Sequence, residues 1–122
     1  MLPSLVYIAL IVTVMITGYY AAIFVRNPEL ALARATHKVE LLPQVMTGRY
    51  IVVFLFTLGA LLFDDLRVSA YLFAVCAFIG FYDGWLYARR GLPHFKHTIT
   101  GLLAFGALCI TLVALATSGP TI

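Results

Sequence analysis

The chain has 122 residues, 63% hydrophobic and only 11% charged, with a mean hydropathy of +1.03. A soluble domain of this length cannot bury so much apolar surface, so that class is excluded and lipid becomes the expected solvent. The net charge of +3 and pI of about 9.1 would suit a nucleic-acid binder in a soluble chain, but here the basic residues flank apolar runs, where they orient helices and meet anionic lipid, which excludes nucleic acid.

A bilayer core of about 30 Å needs about 20 helical residues. Four runs meet this, at residues 2–25, 44–63, 68–88 and 98–117. The first is uncharged, opens near Pro3 and stops at "RNP". It has no basic residue before the apolar stretch and outruns a signal-peptide core, so it reads as a retained helix. Between the first and second runs, Asn27 suits a helix cap, Pro28 a first helical position and Glu29 the helix dipole. This predicts a short amphipathic helix over residues 28–42, with Leu32, Val39 and Leu42 on its apolar side and Arg34, His37 and Lys38 opposite. Such a helix lies on a membrane surface.

The second run is apolar except for Arg49, the third carries only Asp83, and the fourth has no charge. "DDLR" and "RRGLPHFKH" are the only connections among these three, short enough to make sequential helices antiparallel neighbours. The expected fold is therefore all-α, an integral membrane antiparallel four-helix bundle forming one transmembrane domain over residues 1–122. No Pro/Gly/Ser-rich linker and no internal repeat divides it, which withholds support from a pseudo-symmetric transporter.

Orientation follows from charge. Arg26, Arg34, Lys38, Arg49, Arg89, Arg90 and Lys96 fall at one side of the bundle, leaving Arg67 opposite. That side is predicted to be cytoplasmic, with both termini outside, in a bacterial inner membrane. The same bias argues against small dual-topology multidrug exporters.

Polar residues converge at one depth. Asp83 precedes Arg89 by a distance of about 9 Å along a helix, and Arg49 follows Gln44 by about 8 Å. Tyr19 and Tyr20 precede Arg26 by a similar distance, and His97, Thr98 and Thr100 bring the fourth helix to the edge of this layer. Charges facing lipid cost a few kcal/mol, so Arg49 and Asp83 are expected to turn inward and pair. Snorkelling to the headgroups explains Arg49 without any function, whereas the short Asp83 side chain is less able to snorkel. The candidate site is thus Asp83 and His97 for proton handling, with Arg49, Tyr50, Tyr19 and Tyr87 as ligand contacts. Tyr50, Tyr82, Trp85 and Tyr87 suit an interfacial aromatic belt better than a substrate clamp. Gly80 and Gly84 make a small-xxx-small face for a close helix neighbour, a second copy or a membrane partner.

Cys76 and Cys109 sit in apolar runs without ligand spacing and read as packing residues. "HFKH" and "HKVE" bring His94 with His97, and His37 with Glu40, to i, i+3 spacing, which matches no strong metal signature. No metal or cofactor is predicted, and no nucleophile triad, phosphate loop or nucleotide fingerprint occurs.

From "TGRYIVVFLFTLGALLFDDLR" through "FIGFYDGWLYARRGLPHFKHTITGLLAFGAL", the chain resembles the small four-helix integral membrane proteins grouped as domain-of-unknown-function family 4267. The resemblance covers residues 47–108 and rests on Gly48 and Arg49, the short turn with an arginine, Asp83 and His97; Tyr50 stands where that family typically has an acid. It implies the fold and a shared polar constellation. "RATHKVELLP" resembles the second helix of membrane-associated eicosanoid and glutathione metabolism proteins, which implies a cytoplasmic-side thiol cofactor and a glutathione-dependent enzyme.

Two functions stay open beside that third. One is a bundle that binds an amphipathic small molecule or lipid, with cofactor-free proton-transfer or isomerase chemistry at Asp83 and His97. The other is a non-enzymatic accessory or assembly subunit of a membrane complex, whose Arg/Asp pair locks the bundle.

Overall fold

The computed structural model describes residues 4–119. Their regular structure is entirely helical: α1 (Ser4–Arg26), α2 (Pro28–Arg34), a 3-10 turn (Val39–Leu41), α3 (Leu42–Phe63), α4 (Leu66–Arg89) and α5 (Phe95–Thr117). Ser4–Arg26, Val39–Phe63, Leu66–Arg89 and Phe95–Thr117 are each long and apolar enough to cross a membrane.

The boundaries follow from local chemistry. Asn27 is extended, and its Oδ1 accepts the Leu30 N–H at 3.1 Å, capping α2 with Pro28 at the first position. α2 ends at Arg34, well short of the expected residue 42. Thr36 turns left-handed, at φ 58°. Its N–H donates to Ala33 O at 3.2 Å, and His37 N–H donates to Leu32 O at 2.9 Å, the paired closure that satisfies the last carbonyls of a helix. Lys38 is then extended, and a single 3-10 turn leads into α3. The predicted surface helix over 28–42 is therefore two short pieces separated by a reversal. Nothing in the sequence flags the stop, because a threonine occupies the left-handed position that glycine ordinarily takes. Pro43 falls in the first turn of α3, where a missing N–H leaves no broken bond, so that helix begins slightly before the expected residue 44.

"DDLR" divides its labour. Asp64 takes the left-handed conformation at φ 50°, and the Asp65 side chain accepts the Arg67 N–H at 2.7 Å to cap α4. At the other end of α4, Gly91 is left-handed at φ 67°. Leu92 N–H reaches Tyr87 O and Gly91 N–H reaches Ala88 O, both at 3.0 Å.

The chain forms two compact units, Met1–Arg49 and Tyr50–Ile122. In the first, α2 folds back onto α1 and Ala31 is completely buried. In the second, α4 and α5 form an antiparallel hairpin, with Gly80 opposite Gly101 and Gly84 opposite Thr98. The buried positions of these two helices are Ala77, Gly80, Gly84, Gly101 and Thr111. Large apolar side chains such as Phe78, Leu103 and Ile110 point outward. A soluble core has the reverse arrangement; helices joined through close backbone approach at small residues have this one.

Candidate functional site

Glycine sets the geometry of the α4–α5 hairpin. A Cβ added to Gly80 would collide with the backbone N and Cα of Gly101 and stand 3.0 Å from His97 O. One added to Gly84 would stand 2.7 Å from Thr98 Oγ1. With no side chain between them, the helices approach backbone to backbone, and the first turn of α5 is pressed against the last turns of α4.

That approach places the polar residues of the two helices together. His97 is half-buried and its ring centroid lies 4.6 Å from that of Tyr87, at an interplanar angle of 41°. Asp83, also half-buried, is one helical turn before Tyr87 and so shares its side of α4. His94 precedes α5 and holds its Nδ1 3.2 Å from Thr98 Oγ1, which steadies the hydroxyl that faces Gly84. Of the residues expected in a site, Tyr87 and His97 thus meet directly, with Asp83 on the same flank. The chemistry available to the group is hydrogen bonding and proton exchange through a carboxyl, an imidazole and a phenol.

Gly80 and Gly84, expected to offer a face for a close helix neighbour, a second copy or a membrane partner, have α5 of the same chain against them. The outer face of α4 carries a different feature. Phe78 and Tyr82 stack at 5.7 Å, Tyr82 and Trp85 follow at 6.0 Å, and the Arg89 guanidinium lies 4.9 Å from the Trp85 ring centroid. A cation over an aromatic face is held by the ring quadrupole, so this ladder ends in an anchored charge.

In the first unit, Tyr19 packs edge-on against Tyr20 at 5.4 Å, and its hydroxyl accepts a hydrogen bond from Arg34 Nη1 at 3.1 Å. Arg34 was not among the expected site residues. The signal that could have found it is the Asn27–Pro28 turn, which folds α2 back along α1. Arg49 is half-buried at the end of this unit, and Tyr50, 62% exposed, begins the next.

Two cavities lie elsewhere. One, of about 260 Å³, is lined by Phe56 and Ala60 of α3 and by Val68, Tyr71, Leu72 and Val75 of α4. It belongs to the "DDLR" end of α4, away from Asp83. The other, of about 240 Å³, lies in the first unit. Both cysteines are free, Cys76 half-buried and Cys109 exposed. Among the described residues, no three His, Cys, Asp or Glu side chains gather as metal ligands would.

Compared with family models, curated proteins and solved structures, the chain matches none.

Proposed function

We propose that this is a polytopic protein of a bacterial inner membrane, crossing it with α1, α3, α4 and α5 as one antiparallel bundle, with both termini outside and the basic connections cytoplasmic. Just beneath the cytoplasmic face it binds an amphipathic small molecule or lipid. Arg49, paired with Asp83 in the absence of ligand, holds an anionic or carbonyl group, and Tyr19, Tyr50 and Tyr87 bound the ligand. Asp83 and His97 exchange a proton with it, which suits isomerisation or another transfer that needs no cofactor. The observation that carries this reading is the Tyr87–His97 ring contact beside Asp83. A histidine serving only as a boundary marker would turn to the headgroups instead of packing against α4.

The test is native mass spectrometry of the protein extracted from its membrane, with Asp83→Asn and His97→Gln alongside. A bound amphiphile retained by the wild type and lost from both variants, while the melting temperature of His97→Gln stays near the original, is the expected result. An adduct indifferent to both substitutions, or none at all, overturns the site.

The hairpin's glycine contacts favour a second reading. Helices this closely packed also suit an accessory subunit, whose polar residues fasten the bundle and bind no ligand. In that case Asp83→Asn lowers the melting temperature and changes nothing else.

A further inference from the structure

The cavity of the first unit is built by the reversal that ends α2. Phe24 of α1, Leu32 of α2, Val39 of the 3-10 turn, and Leu42 and Val45 of α3 supply an apolar lining. The remaining wall is the link between α2 and the 3-10 turn, where His37 and Lys38 both line the cavity and are both exposed to solvent. The space is therefore largely apolar, with two basic residues on one stretch of its wall. Glu29 and Glu40, the carboxylates of this segment, do not line it.

We infer that this cavity is a binding site for a single-chain amphiphilic carboxylate, a free fatty acid, whose chain lies against Phe24, Leu32 and Leu42 and whose head meets Lys38 and His37. An ammonium with three donors and an imidazole beside it match one carboxylate. The volume of about 240 Å³ is below the ~300–1,000 Å³ of sites that enclose drug-sized ligands, so it admits part of one chain and leaves no place for a second. A fatty acid satisfies both conditions, while a phospholipid brings two chains. The site lies wholly in the first unit and stands whether or not Asp83 and His97 act on a ligand.

The experiment uses the full chain in phosphatidylcholine nanodiscs with a diazirine-bearing palmitate analogue, cross-linked sites being mapped by mass spectrometry. Labels should concentrate on residues 24, 32, 42 and 45. Dodecanoate should compete for them, and dodecanol of the same chain length should not. Lys38→Gln should weaken probe binding about tenfold, as loss of a hydrogen bond to a charged group does, and Lys38→Arg should restore most of it. Val45→Trp, which fills the cavity, should abolish labelling even if the head contact survives. Asp83→Asn should leave the labelling unchanged, which separates this site from the one on α4 and α5. Equal competition by dodecanol, displacement by phosphatidylglycerol as effective as by dodecanoate, or labels spread along the outer faces of α1 and α3 would each overturn the inference.

Discussion

Single atoms decide how α4 and α5 meet. A methyl group on Gly80 meets backbone of Gly101, and one on Gly101 stands 2.8 Å from Phe81 Cδ1 and 2.9 Å from Phe81 N. Neither obstacle is the end of a flexible chain, so Gly80→Ala and Gly101→Ala should each destabilise the hairpin by about 1–3 kcal/mol, the usual cost of overpacking. Gly84→Ala meets the Thr98 hydroxyl first, which can rotate away from His94, so its effect should be smaller. Gly59 and Gly106 have open space where a Cβ would stand. Alanine there should be neutral or stabilising by up to ~1 kcal/mol through helix propensity. Thermal melts of the five variants in detergent give the order, and a Gly80→Ala variant as stable as Gly106→Ala would refute the packing account. At the same scale, the proposed Arg49–Asp83 pair predicts that removing one partner does more harm than removing both. The single loss should cost on the order of 3 kcal/mol if the charge left behind is well buried. Simple additivity in a double-mutant cycle would count against the pair.

At the scale of elements, the caps explain where helices stop, and they differ in how well their residues suit the task. Gly91 occupies its left-handed position without a Cβ penalty, whereas Thr36 occupies the equivalent position at the end of α2 as a β-branched residue at φ 58°, a conformation that costs L-residues roughly 1–2 kcal/mol. Thr36→Gly should therefore stabilise the α2 reversal by up to about 1 kcal/mol, and Gly91→Val should destabilise the end of α4 by more than that. Hydrogen exchange at the His37 and Leu92 amides, the donors that close the two motifs, reports each change locally. Slower exchange at His37 in Thr36→Gly is the expected sign; faster exchange would mean that the hydroxyl, which donates to Ala35 O at 2.7 Å, outweighs the backbone strain. Asp65→Ala removes the cap of α4 and should cost about 1 kcal/mol.

For the whole molecule, the charge asymmetry predicts sidedness. In a background with Cys76 and Cys109 replaced by alanine, single cysteines at positions 65 and 96 should react with a membrane-impermeant maleimide from opposite sides. Reaction of both from outside intact cells would sink the proposed topology. Trp85 is the only tryptophan and lies exposed on the outer face of α4, about 6 Å along the helix from Arg89. In vesicles its fluorescence should be quenched most by lipids brominated near the headgroup end of the acyl chain. Strongest quenching by bromines at the chain terminus would contradict an interfacial position.

How much of this was legible beforehand depends on the range of the forces involved. Four apolar helices follow from composition and run length alone, because the hydrophobicity of about 20 consecutive residues is a local sum. The Asn27 cap follows from residue type, since side-chain preferences act over a few positions. The early end of α2 was not legible, because Thr36 adopts a conformation its own preferences oppose, closed by the Thr36 and His37 backbone hydrogen bonds. The polar residues Asp83, Tyr87 and His97 could be listed from their depth. That Tyr87 and His97 touch, and that α5 is the helix against Gly80 and Gly84, was decided only by the tertiary structure. Close approach depends on which two faces lack side chains at the same height, and that is a property of a pair of helices.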